Sequence, residues 1–565
     1  MVANLLSKLH GLPSCLLLLV ACGSTETPTE TPTAPLPTAS ATTGETSDTP
    51  TGDPFKVEGI LREEQLPLLK GPQPTVPDVA LDTKPKGVPE APLSCDAFAK
   101  RSSKEKPACA DKTQALASLD RALAKADPNA RDEALVALES CKQLEPGIVR
   151  GIRVEIGPPE CSDALAEPFL KSKPAGMSGA VQHALIGHTI AARLTRAVRN
   201  PPALKPPFAR KKVEEFVQKE LATWFKEQAT ALDALSAQGK ELSSYGKGVV
   251  GIAAGWGYLR LVEAVREAPV PKEFTTDRDL GNEYYSSLDM VLEPIKSLGR
   301  DASLVGLGHM ARAGVIADDR TDRTRTLLSK MYGGRRVDSL DVLALPPLPE
   351  APTDKVEARL AARLPTYFAG LVLDPKLASD VGVLRAFARR GVPLPFRSAL
   401  KENEATLSED VVASYARARL ELGRRYWRAV DVDSSIGLYA KIPAAKLSEA
   451  DRLGFALALA LRNGPEDVAM LMKSNDAMGP KFANVAALDV IAKDAAAKDS
   501  NGIASFDAAV LRQIAVPHDA AEAYWEGLAA RYKGAVASLA DGKLKDEAAR
   551  RAEAATATAK VRKGP

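Results

Sequence analysis

Three observations place the body of this 565-residue chain in the all-α class. Ala, Leu, Arg, Lys and Glu dominate its composition and favour helix, while aromatic residues are scarce at 5%. Apolar residues recur at helical spacing, as in Val181, Leu185, Ile186, Ile190, Leu194 and Val198, and again in Val213, Phe216, Val217, Leu221, Trp224 and Phe225. Alternating strand patterns with hairpin turns are nearly absent. Prolines fall between the periodic stretches, at Pro201-Pro202, Pro206-Pro207, Pro269, Pro346-Pro347, Pro393 and Pro395, where a missing N–H costs no helix hydrogen bond. The expected architecture is a set of helical hairpins behind a disordered tether. Stacking as an irregular α-solenoid and a compact irregular helical domain are the two alternatives.

The N-terminal 21 residues have a different character. One cation, Lys8, precedes an apolar run from Leu12 to Ala21, interrupted by Pro13. That run is about half the ~20 residues of a membrane-spanning helix and has the form of a secretory signal. It ends in Leu19-Val20-Ala21-Cys22, followed by the small Gly23. This arrangement resembles the signal peptide and lipobox of bacterial lipoproteins. The resemblance covers residues 1–22 only and implies that Cys22 becomes the lipidated N-terminus. The lipid would make the membrane its first partner, since each buried CH₂ of an acyl chain contributes ~0.8 kcal/mol. Gly23 in place of Asp favours the outer membrane over the inner one, by resemblance to sorting in enteric bacteria.

Residues 22–93 read as the tether. From Gly23 to Pro54 the chain is Thr, Pro, Ser and Ala with a few acids, Glu26, Glu30, Glu45, Asp48 and Asp53. Such a stretch lacks the apolar surface to offset its ordering entropy. Residues Phe55 to Pro92 remain proline-rich, with one short amphipathic stretch around Ile60 to Leu69.

A first helical domain, 94–345, carries four cysteines near its start: Cys95, Cys109, Cys141 and Cys161. In an exported chain they suit disulfides. Lys112 to Ala126 and Ala130 to Leu144 read as two helices turned at Asp127-Pro128-Asn129. An antiparallel pair brings Cys109 near Cys141, which leaves Cys95–Cys161 to close outside it. Sequential pairing, Cys95–Cys109 and Cys141–Cys161, is the alternative. No CxxC or nearby His supports a metal site in their place, so the expected metal and cofactor complement is none.

Pro346-Pro347 to Asp354 reads as a linker to a second, repeat-like domain, 355–545. Ala416 to Trp427 with Ser434 to Lys441 form one helix pair. Asp451 to Arg462 with Glu466 to Lys473, turned at Asn463-Gly464-Pro465, form the next. The step of about 30–35 residues is the scale of helical solenoids. Leu422-Gly423 with Tyr426, and Ile442-Pro443 after them, resemble parts of one tetratricopeptide unit. Residues 546–565 read as a solvated, Ala- and charge-rich tail, with a frayed helix from Asp546 to Lys563 and a basic tip at Lys560, Arg562 and Lys563.

No catalytic constellation emerges, and the expected catalytic residues are none. Gly246-Lys-Gly248-Val-Val-Gly251 matches GxGxxG, but no strand precedes it and no βαβ unit follows. Gly251, Gly255 and Gly257 with Ala253 and Ala254 instead suit close helix packing, with burial expected for Trp256 and Tyr258 and a binding role beside the small-residue patch as the alternative. His183 and His188 lie five apart, off the i, i+4 spacing of a helical metal pair. His309 and His518 stand alone, and no GxSxG or HExxH occurs. Asp431-Val-Asp433-Ser-Ser435 and Asp499-Ser-Asn501-Gly502 lack the ligand pattern of a calcium loop and read as turns or caps. The charge run from Asp318 to Arg325 reads as a solvated helix face.

The net charge is +3, and with five acids in the tether the body is modestly basic. That charge is small and spread along the chain, which excludes nucleic acid as the expected partner. The expectation is an envelope protein whose helical body is a protein-interaction or scaffolding module with protein partners. The alternatives are an enzyme acting on an envelope polymer such as peptidoglycan, and a solute- or lipid-binding helical domain.

Overall fold

The computed structural model describes residues 52–67, 78–172, 174–206, 210–270, 272–331, 339–346, 354–388, 390–462, 485–494, 500–516 and 520–563. The signal segment, Cys22, the first part of the tether, most of the linker, the 466–473 helix, Asp499 and His518 lie outside the described residues. Among the described residues every regular element is helical and no strand occurs. The chain is all-α.

The N-terminal helix pair forms for local reasons. Asp111 caps Lys112–Leu123 by accepting from Gln114 N at 2.8 Å. Asp127 caps Pro128–Leu138 by accepting from Ala130 N at 2.7 Å, with Pro128 in the first turn, where it forfeits no hydrogen bond. The pair places Cys109 against Cys141, with Cα atoms 5.8 Å apart, and Cys95–Cys161 closes outside it at 5.1 Å. Helix Ile148–Ile156 lies between the second cysteine of the inner bridge and the second cysteine of the outer one.

The central element is helix Ser244–Arg266, packed between Gly179–Ala197 and Arg278–Ala313. Glycine sets how near the backbones come. A Cβ on Gly187 would stand 2.9 Å from the Gly246 Cα, and one on Gly251 would stand 2.9 Å from the Gly306 Cα. The glycine run of 246–251 is therefore a helix-contact surface on both flanks. Ser244–Arg266 is also the one helix among the described residues that is long and apolar enough to cross a membrane, and 61% of its most apolar window is buried in the body.

In the C-terminal half, Glu409–Tyr426, Ala429–Tyr439 and Glu449–Leu461 stack in order. Trp427 turns the chain between the first two in the left-handed region (φ 51°), with its N–H closing the helix end on Gly423 and its side chain buried. Helices Ala486–Lys493, Asn501–Ile514, Glu522–Ser538 and Lys543–Arg562 continue the stack.

Three expectations change. The hydrophobic core does not divide at 346–354, because one continuous cluster runs from Cys95 to Ala555 and a second gathers residues 186–295 with Val88. The C-terminal segment is not merely a solvated tail. Ala548, Ala552, Ala555 and Ala559 are buried along one side of Lys543–Arg562, since methyl groups at i, i+3 and i+4 spacing suffice for close packing. Residues 52–67 and 78–93, read as tether, are held against the body. Gln182 bonds Asp78 at 2.7 Å, Arg193 donates to the Asp82 carbonyl at 3.0 Å, and Arg196 donates to the Pro89 carbonyl at 3.4 Å. Residues of low hydrophobicity are ordered here by side chains that the body directs at their backbone carbonyls.

Candidate functional site

The exposed side of Ser244–Arg266 is the floor of a cleft of about 1740 Å³. From Tyr245 to Glu267 the floor runs ~33 Å at 1.5 Å per residue. At its inner part the exposed Trp256 and the half-buried Ala253 form the surface, with Val249 and Ile252 buried beneath them. Its outer part carries both charges, with Arg260, Glu263, Arg266 and Glu267. One wall comes from Gly179–Ala197 through His188, Ala191 and Thr195. The other comes from helix Asp319–Met331 through Asp319, Arg320, Asp322 and Arg323. Trp256 sits on the floor, 40% exposed as a residue and held by a hydrogen bond from Nε1 to Thr324 Oγ1 at 2.9 Å. Tyr258 is buried as expected, whereas Trp256 lies on the side of the helix that Asp319–Met331 covers only in part.

The inner end is closed by a polar cluster centred on Glu155. One carboxylate oxygen, Oε2, accepts from Tyr245 OH at 2.5 Å and from Arg320 at 3.2 Å, and it lies 2.6 Å from His188 Nε2. His188 Nε2 and the Tyr245 hydroxyl are 3.2 Å apart. Burial alone would raise the Glu155 pKa, but Arg320, His188 and the Tyr245 hydroxyl hold it well below the usual carboxylate range. Burial and the adjacent Glu155 charge push the Tyr245 phenol well up. Tyr245 stacks on Tyr367 at 3.8 Å between centroids, and the Tyr367 hydroxyl donates to the Ala180 carbonyl at 3.0 Å. Arg390 donates to the carbonyls of Ala362 at 2.6 Å and Leu364 at 2.8 Å, so it ties the inner end to the next helix turn.

The chemistry of this cluster is bracing. A general base needs an unsatisfied lone pair near its operating pKa. Glu155 is instead an ionised acceptor shared by three donors, and Tyr245 is a donor held protonated.

The other sequence candidates disperse. His183 Nδ1 accepts from the Ser243 N–H at 2.9 Å on the opposite side of its helix from the cleft end. Burial, together with Arg312 and Lys247, lowers the His309 pKa to about 4 and keeps it neutral. Asp431 and Asp433, expected in a turn or cap, lie inside helix Ala429–Tyr439 and are buried against arginines: Asp431 pairs with Arg419 at 2.7 Å and Arg428 at 2.6 Å, and Asp433 with Arg62 at 2.7 Å. The Asp318–Arg325 run is solvated on one side only, because Arg320 turns to Glu155 and the buried Arg325 pairs with Asp341 at 2.7 Å. Among the described residues no group of three His, Cys, Asp or Glu is placed to hold a metal. Sequence reasoning missed Glu155 altogether, because its partners stand at 188, 245 and 320 and no local spacing announces them. No protein family, no curated protein and no solved structure matches the chain.

Proposed function

We propose that this chain is a lipid-anchored protein of the bacterial cell envelope, in the outer membrane by preference, whose helical body engages a partner polypeptide along the groove of Ser244–Arg266. The reading rests on two supports. The lipobox ending at Cys22 supports the anchor. The groove supports the partner, and its dimensions carry the argument. Pockets for small molecules span about 300–1,000 Å³ and enclose their ligand, whereas this cleft is larger, elongated and open along an exposed rim. The exposed Trp256, with both signs of charge on the outer floor and on the Asp319–Met331 wall, matches an amphipathic segment with an apolar anchor below and charges above. Trp256 is the natural anchor point, since interfaces concentrate binding energy on exposed, rigidly held aromatic residues. The depressed pKa of Glu155 makes it a poor general base, which speaks against the enzymatic alternative.

Two substitutions test the reading separately. Cys22→Ser should move the protein from the membrane to the soluble fraction, and retention on the membrane would refute the anchor. Trp256→Ala should leave the body folded and abolish reproducible co-purification of its partner from solubilised membranes. Unchanged co-purification would refute the groove.

A further inference from the structure

A second recognition site lies in the C-terminal half, away from the groove, and residues 55–64 already occupy it. Glu64 enters a pocket of three arginines. Its carboxylate is 2.9 Å from Arg397, 3.0 Å from Arg419 and 3.3 Å from Arg428. The first two arginine side chains are almost fully buried. Asp431 balances Arg419 and Arg428 from below, at 2.7 and 2.6 Å. Arg397 pairs with Glu64 and otherwise donates to the Arg312 carbonyl, so the pocket is one carboxylate short without Glu64.

The rest of the segment is bound as a peptide is bound. Arg62 donates from its backbone N–H at 2.8 Å and from Nε at 2.7 Å to Asp433 Oδ2. Arg62 also donates to the Arg462 carbonyl at 3.0 Å, and Arg462 returns bonds to the carbonyls of Glu58 and Ile60. Phe55 lies 5.7 Å from the Phe455 ring and under the Arg452 guanidinium at 5.4 Å. Phe55, Val57 and Leu61 pack on the core. Side-chain pockets, backbone carbonyls read by a guanidinium, and a charge-complementary end point are the parts of an interface in trans. No helix or strand of the segment itself holds it there.

We propose that Arg397, Arg419 and Arg428 form a peptide-carboxylate recognition site that Glu64 fills from within the chain, and that an acidic polypeptide segment with an apolar residue three positions before its carboxylate, as in Leu61 and Glu64, displaces it. The pocket holds Glu64 ionised. Burial opposes this, but the three arginines overcome it and bring the pKa down to about 2. Release therefore needs a competing carboxylate and not mild acid. The site is independent of the groove and of the lipid anchor.

The test uses the full chain as host and a fluorescent synthetic peptide of residues 52–67 as probe. Glu64→Gln in the host should free the segment, seen as faster amide exchange at 55–66 with unchanged protection of Ser244–Arg266. The host should then bind the peptide at least about tenfold more tightly than the unaltered chain does. A peptide carrying Glu64→Gln should lose at least about tenfold in affinity for the same host. Leu61→Ser is a second host, which loosens the segment while leaving every arginine its partner when docked. Failure of both hosts to bind the peptide, or equal binding of the two peptides, overturns the proposal.

Discussion

Glu155 and Glu64 are two buried glutamates with the same electrostatics and different frames. Burial alone would raise the pKa of each, and it is held low by Arg320, His188 and Tyr245 at Glu155 and by three guanidinium groups at Glu64. Glu155 stands on helix Ile148–Ile156, between cysteines 141 and 161, which are tied to 109 and 95. Its donors come from three further helices or their ends. Glu64 stands on a segment without regular structure, and its partners are more than 330 residues further along the chain. The first is an internal brace whose surroundings would hold without it. The second is the fastening itself. A buried ion pair adds little net stability when built, and its loss is felt strongly when one partner is removed. What differs between the two sites is therefore what moves when the pair is broken.

The largest effect should separate the frames. Reducing both disulfides releases closed loops of 66 and 32 residues, and the larger alone is worth ~4 kcal/mol in chain entropy. Amide exchange should rise around Glu155 and leave residues 55–66 protected. The reverse pattern would break the comparison. Next, Glu64→Gln should cost ~3 kcal/mol in urea unfolding, because Arg397 is left buried without its carboxylate. Residues 55–66 should lose protection first. The same pair predicts a pH dependence. The folded pKa of Glu64, about 2, lies below its unfolded value of ~4.3. Its contribution is complete above that unfolded value and is lost as pH falls towards 2. Glu64→Gln should flatten that part of the stability curve.

Glu155→Gln should cost less, ~2 kcal/mol, since the amide oxygen keeps one acceptor while Arg320 loses its counter-charge. The observable is the environment of Tyr245 and Tyr367 in near-ultraviolet circular dichroism, with residues 55–66 undisturbed. The smallest effect has the opposite sign. Asp507 is fully buried, accepts from the Ala344 N–H at 2.8 Å, and is pushed well above the usual carboxylate range by burial, against the pull of Arg424 and Arg417. Its folded pKa is raised, so the ionised form disfavours folding near neutral pH. Asp507→Asn should therefore stabilise the chain by about 1 kcal/mol at pH 8 and by nothing at pH 3. A carboxylate without a close cation thus sharpens what the arginines do for Glu64 and Glu155.

Much of the fold was legible in the sequence. Helical periodicity located the body's helices, Asp127-Pro128-Asn129 announced the turn between two of them, and the glycines of 246–257 announced close packing. The groove was not legible, because it is the side of Ser244–Arg266 left uncovered by two other helices. Its hydropathy pattern cannot say which apolar residues find neighbours, and Trp256 reads like core. The charged clusters were misread for the same reason. Asp431, Asp433 and Arg320 look solvated when only their near neighbours in sequence are considered. Their distant partners arrive from residues 62, 419 and 155. Low hydrophobicity predicts no self-folding for the tether, and residues 55–64 carry no regular structure of their own. They are held by a surface already formed.

The central claim is that the groove of Ser244–Arg266 engages a partner polypeptide at the membrane. Its most direct test is photo-crosslinking in intact membranes from a reactive residue at Arg260 on the floor and at Arg323 on the wall, with Lys545 on the C-terminal helix as the control. Positions 260 and 323 should give the same crosslinked polypeptide, position 545 none, and Trp256→Ala should remove both adducts. Equal crosslinking from all three positions, or none from the groove, would contradict it.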